Sequence, residues 1–225
     1  MLLSPPMEIQ TLGVAVYDLE TTDTLPRGFV PEQDDEQAPH IAQFGGQRLL
    51  FFKSPDAPET IRHRVLEDLE FIVRLPRGVT MPAEASRVNG LTDEKLRTGP
   101  SLNLMTGRLR AFFRDSEVVS GHNIRDFDNV VLAAELRRLG IDPTTILPGH
   151  TIDTMRAGRD VCRIPFPTGD GFKRPTLAQL HQKLFGEGFK GAHAALNDGR
   201  ATSRCLIEMV KRGDVNLPWE LAKPH

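Results

Sequence analysis

Apolar and polar residues alternate along "LGVAVYDLETTD", residues 12–23, and the alternation then takes an unusual turn. Leu12, Val14 and Val16 share one face of the strand that this pattern predicts, and the same face goes on to carry Asp18 and Glu20. Two carboxylates about 7 Å apart on one strand face, next to a core, raise each other's pKa or call for a cation between them. The ordinary reading is a strand that simply ends there, with both acids in water.

The rest of the chain reads as alternating strands and helices. "IAQFGGQRLLFF" and "DLEFIVRL" predict two further strands, and "SEVVSGHN" a short buried strand running into a turn. "LTDEKL" predicts a short helix with Thr92 as its cap. In "SLNLMTGRLRAFFRD", Leu102, Met105, Leu109 and Phe112 or Phe113 fall at helical spacing. "DFDNVVLAAELRRLG" is an amphipathic helix closed by Gly140, and "HTIDTMRAGRD" a strand end entering a helix. "TLAQLHQKLFG" and "HAALNDGRATSRCLIEMVKRG" predict helices stopped by Gly186 and Gly213. "PRGVTMP" and "RIPFPTGDGFKRP" read as irregular connectors, and residues 23–40 as a long exposed loop rich in proline and acids. Loops of that length inside a domain are usually functional or mobile. Strands first and alternating helices later predict an α/β fold with a mixed sheet in one domain, its core at about residues 12–211. Residues 214–225 read as a short tail.

Two helices repeat the oddity of the first strand. The stripe Val131, Leu132, Leu136, Leu139 extends back one turn to Asp128, and the stripe Thr202, Cys205, Met209 extends back to Asp198. A helix N-terminus favours a negative charge by about 0.3–1 kcal/mol, which accounts for either acid taken alone. Four acids converging from a strand and two helices is another matter. Burying several uncompensated carboxylates costs many kcal/mol, whereas divalent cations offset that cost. Oxygen-only ligands point to Mg²⁺ or Mn²⁺ rather than zinc. His193 lies five residues before Asp198, about 140° around a helix, so both face one site only if His193 sits in or before the first turn. An imidazole there suits a general base at neutral pH, although a lone histidine at a helix start is commonly a surface or capping residue.

Bulk properties narrow the class. The 225 residues carry a net charge of −2, with 39% hydrophobic and 26% charged residues, so no global basic field holds nucleic acid. Cys162 and Cys205 are the only cysteines and have no metal-ligand spacing, which suits a reducing, cytoplasmic setting. No segment approaches the roughly 18 apolar residues of a membrane span, and "MLLSPPMEIQ" predicts no signal peptide.

The motifs together resemble the DEDDh 3′→5′ exonuclease family, on the ribonuclease H-like fold. "VYDLETTD" resembles its D-x-E-T-T, "SGHNIRDFDNVVL" its G-H-N…F-D-x-x-x-L, and "AHAALNDGRAT" its H-x-x-x-x-D-x-x-A-T. "TIDTMRAGR" is similar to the D-T-L-x-L-A-R segment and "NGLTDEKL" to H-G-I-T. Three departures stand out. Asn123 to Asp128 is five positions where four are common, with Asp126 as the fallback ligand; Asn89 replaces the usual histidine; and the acidic loop replaces a short turn.

The resemblance implies a mixed five-stranded sheet flanked by helices. It implies two divalent ions held by Asp18, Glu20, Asp128 and Asp198, with Asp18 shared, and His193 as the base. Thr21, Glu84, Asn89 and Asn123 are implied at or near the terminal nucleotide, Asn123 with a structural alternative in its turn. The basic residues at 156, 159, 163, 173 and 174 are available to a phosphate backbone or to a solvated face. The expected reaction releases nucleoside 5′-monophosphates from a nucleic-acid 3′ end, DNA placed ahead of RNA, in a proofreading or repair role. The alternatives are an RNA-trimming enzyme and a noncatalytic nucleic-acid-binding or polymerase-associated module on the same fold. A DNA polymerase is a further candidate partner, although the short tail favours a stand-alone enzyme.

Overall fold

The two-residue period of the first strand carries β1 (Gln10–Thr21) through the middle of the main sheet. The computed structural model describes residues 9–224, so most of the stretch read for a signal peptide lies outside the described residues. β1 pairs antiparallel with β2 (Ile41–Ser54), which pairs antiparallel with β3 (Ala57–Ile72). On its other side β1 pairs parallel with β4 (Val118–Gly121), and β4 with β5 (His150–Asp153). The order is β3-β2-β1-β4-β5, the mixed sheet expected, flanked by helices.

Among the described residues there are seven α-helices, six where the sequence predicts them and one addition, α1: α1 (Ala83–Asn89), α2 (Asp93–Arg97), α3 (Leu102–Phe113), α4 (Asp128–Arg138), α5 (Thr154–Cys162), α6 (Leu177–Phe185) and α7 (Ala195–Arg212). α1 buries none of its residues, so it has no apolar stripe to announce it. Thr92 caps α2 by accepting from the Lys95 N–H, and Thr176 and Gln179 close a capping box on α6. A short hairpin, β6 (Ile164–Pro165) and β7 (Phe172–Lys173), lies within the segment read as irregular. Residues 223–224 form β8 against Gln10 and Thr11, so the tail supplies a sixth strand where five were expected. β3 begins eleven residues before the predicted strand, because most of its outer stretch is exposed and carries no burial pattern.

The faces of β1 divide the core between two helical layers. Ala15, Tyr17 and Leu19 pack with Leu109, Phe112 and Phe113 of α3 and Val131, Leu132 and Leu136 of α4. Leu12, Val14 and Val16 pack with Leu180 of α6 and Cys205, Leu206 and Met209 of α7. Asp18 and Glu20 therefore continue the α7 face, and α4 lies across the sheet.

Candidate active site

The approach of α7 to the sheet places the first acids. Gly45 sits opposite Asp18 in the β1–β2 register, and a β-carbon there would fall 2.0 Å from the Leu196 nitrogen. Only a bare backbone lets the first turn of α7 come that close. The Ala195 N–H donates to Gln43 Oε1 at 3.2 Å, fixing the same helix start to β2. Asp198 is thereby brought to the end of β1. Asp18, Glu20 and Asp198 each present a carboxylate oxygen, all within 4.8 Å of one another.

Asp128 reaches the same place from the other layer. It is 3% exposed, and its Oδ1 accepts from the Leu19 N–H at 3.0 Å, between the two acids of β1. Its charge bears on Asp18 more strongly than that of Asp198 or Glu20. Asp128 is outside the tight three-acid set, yet it belongs to the same field. The five-residue spacing from Asn123 resolves in the turn: Asn123 has φ +70°, and its carbonyl accepts from the N–H groups of Asp126 and Phe127. That tight turn sends Asp126 outward, into ion pairs with Arg156 and with Arg174 at 2.7 Å. Asp126 is therefore not at the site.

Electrostatics explain the strain on these groups. Burial, followed by the charges of Asp128, Asp198 and Glu20, holds Asp18 well above the ordinary carboxylate range. Burial pushes Asp128 up to about 7 against the pull of the Leu19 N–H. Burial also raises Glu20 and Asp198; the Asn89 side chain offsets part of the first shift, and the His193 N–H part of the second. Crowded carboxylates of this kind retain protons or bind a cation. The tight set holds only hard oxygen donors, which suit a divalent cation.

His193 lies before α7 with φ +66°, exposed, and its backbone N–H donates to Asp198 Oδ2 at 2.8 Å. It lies before the first turn of α7, one of the two placements that the 140° offset allows if it is to share a site with Asp198. Thr21, Glu84 and Asn89 line a cleft of about 370 Å³ beside Glu20, with Val88 of α1 and Phe127 on its walls. The Thr21 hydroxyl donates to the Asp23 carbonyl at 2.7 Å, and Asn89 Oδ1 accepts from the Leu91 N–H at 3.0 Å. Asn123 is not among the residues lining that cleft. Sequence reasoning missed Asp153, whose buried carboxylate accepts from the backbone N–H groups of Asn123, Arg125, Met155 and Arg156. It caps α5 and pins the turn that delivers Asp128; an N-cap acid opening the "TIDTMRAGR" helix was the only signal for it.

A family model described as Exonuclease, of the RNase T type, matches residues 15–206. The chain belongs to that exonuclease family. The motif resemblance is thus borne out at the level of family, and the chain carries an exonuclease domain. Solved structures agree in fold. Escherichia coli Exonuclease I in complex with a dA16 oligonucleotide is similar with a TM-score of 0.62 at 18% identity, over 89% of this chain and 41% of that chain. The same enzyme with a dT13 oligonucleotide gives 0.63 at 20% identity, over 90% and 43%. Exonuclease I from Methylocaldum szegediense, moderately thermophilic, gives 0.63 at 23% identity, over 89% and 41%. This chain spans about two fifths of the length of those proteins. No curated protein matches the chain in sequence. Among the described residues, no helix is long and apolar enough to cross a membrane.

Proposed function

We propose that this exonuclease domain is a metal-dependent 3′→5′ enzyme that releases nucleoside 5′-monophosphates, with single-stranded DNA as its first substrate and RNA as its competitor. One observation carries the reading: Asp18, Glu20 and Asp198 converge within 4.8 Å, and Asp128 stands buried beside them. Asp18, Glu20, Asp128 and Asp198 would hold a pair of Mg²⁺ or Mn²⁺ ions, which supply Lewis-acid activation of water and charge stabilisation at the phosphate. The His193 imidazole, exposed at the lip, takes the proton of the attacking water on a ring nitrogen. Its backbone N–H meanwhile holds Asp198, so base and ligand are set by one contact. Thr21, Glu84 and Asn89 line the cleft that receives the terminal nucleotide. Asn123 acts through its backbone, shaping the turn that presents Asp128.

The oligonucleotide complexes of Exonuclease I support placing DNA first. A role in proofreading or repair belongs to the same reading. The test is digestion of 5′-labelled DNA and RNA oligomers with Mg²⁺ or Mn²⁺, with free and blocked 3′ ends. A ladder shrinking from the free 3′ end, abolished by chelator and by the block, is expected. Metal-independent cleavage, or cleavage that ignores the block, overturns the proposal.

A further inference from the structure

The acidic segment at residues 23–40 has no part in the chemistry above, yet it is tied to the fold by an ion pair and a set of hydrogen bonds. Its two ends are clasped together: the Thr22 N–H donates to the His40 carbonyl at 2.9 Å, and the His40 N–H to the Thr22 hydroxyl at 3.0 Å. Its middle is fixed to the C-terminal half of α4. Arg137 donates to both carboxylate oxygens of Asp35, at 2.5 and 2.8 Å. Arg138 donates to the backbone carbonyls of Asp35 and Ala38, each at 2.5 Å, and to Glu135 Oε1 at 2.7 Å. His40 Nδ1 meets the same Glu135 oxygen at 2.7 Å. The side chains of Arg138 and Glu135 are 10% and 9% exposed, so this is no solvated surface pair. The bidentate contact of Arg137 and the nearly buried contacts of Arg138 impose geometry as well as attraction.

The segment and the helix that anchors it meet again at the nucleotide cleft. Residues 21–24, at the start of the segment, form one wall, and Phe127, immediately before α4, lies on another. Asp128 follows on the first turn of the same helix. One rigid helix therefore carries a metal-binding acid at one end and, at the other, the anchor for the wall facing it.

We infer that Arg137 and Arg138 are positioning residues for substrate: by pinning the 23–40 segment to α4 they set the width of the cleft that takes the terminal nucleotide. The inference rests on the exonuclease reading and deepens it. Loosening the anchor lets the wall at Thr21–Thr24 move relative to Phe127 while the four acids stay where β1, α4 and α7 hold them. Binding of the nucleotide suffers and the chemical step does not.

Arg138 is nearly buried, so the test uses Arg137 and its partner: Asp35→Asn, Arg137→Ala and the conservative Arg137→Lys. For each, kcat and KM are measured on a labelled single-stranded oligonucleotide, together with the rate of tryptic cleavage after Arg27, an exposed residue of the segment. Asp35→Asn and Arg137→Ala are expected to raise KM about tenfold, with kcat within about twofold and faster cleavage at Arg27. Arg137→Lys should recover most of the affinity. Faster cleavage with unchanged KM, or a fall in kcat at unchanged KM, overturns the inference. If the wild-type protein degrades no nucleic acid, the exonuclease reading fails on its own. Calorimetric titration of thymidine 5′-monophosphate across the same variants then decides whether the anchor sets the cleft: an unchanged affinity overturns it, and about tenfold weaker binding supports it.

Discussion

Asp128 and Asp198 occupy matching places on opposite sides of the sheet, and the comparison shows how one site is drawn from two layers. Each is in the first turn of a helix, and each heads a buried stripe. Asp128 is sealed, 3% exposed, and clamped to the Leu19 amide of the central strand. Asp198 is partly open and held by the amide of His193 on an exposed, left-handed residue. One acid is fixed by the core and the other by the lip of the site. In the proposed mechanism the first would lend rigidity, and the second would couple the position of a ligand to that of the base.

The largest effect expected comes from removing charge at either. Asp18→Asn, Asp128→Asn and Asp198→Asn should each lower kcat by on the order of 10³-fold or more, because a neutral amide cannot complete the cation site. The comparison is sharpened by stability. Without metal at pH 8, Asp128→Asn should raise Tm, since it deletes a buried charge, and Asp198→Asn should raise it less. Equal shifts in a thermal melt would mean that the two acids are equally solvated.

His193→Ala should lose about 10²-fold in kcat, the usual contribution of a positioned base, while its titre for Mn²⁺ stays unchanged. The backbone amide that holds Asp198 survives the substitution, so metal binding and base catalysis separate. A variant that loses Mn²⁺ as well would tie the imidazole to the ligand set.

The pH dependence has a definite sign. Burial holds Asp18 and Asp128 above the ordinary range, so the metal-free folded protein keeps protons that the unfolded chain releases above about 4. Their contribution to stability is complete below that value and is lost as pH rises through about 7, where Asp128 titrates. The Tm of the chelated protein should therefore fall between pH 5 and 8. Saturating Mg²⁺ or the Asp128→Asn change should flatten the slope, and a Tm that rises across this window would contradict the burial of these acids.

The smallest effect belongs to Asp126→Asn. Asp126 competes with Asp128 in sequence, but it faces Arg156 and Arg174 in solvent, so activity should stay within about twofold of wild type. A large loss of turnover would reopen the choice between the two.

What could be read from the sequence follows from what is buried. The alternation from Leu12 to Glu20 and the stripes behind Asp128 and Asp198 are core signals, and they point to acids gathered from one strand and two helices. The offset of His193 likewise restricted it to the first turn of α7 or the residues before it, if it was to face Asp198's site. α1 and the outer half of β3 left no such trace, because their side chains face water on most sides. β8 consists of two residues, too few for any period to show. Asp153 was hidden for another reason: it works through four backbone amides, whose positions no residue pattern records.

The glycine at position 45 carries a consequence for how this scaffold can vary. With bare backbone there, α7 rests directly on the sheet, so that crossing has no side chain to trim or enlarge. Drift in the rest of the layer can be absorbed by exchanging one apolar residue for another. At the crossing even a methyl group must lift the helix, and Asp198 and His193 would be carried away together.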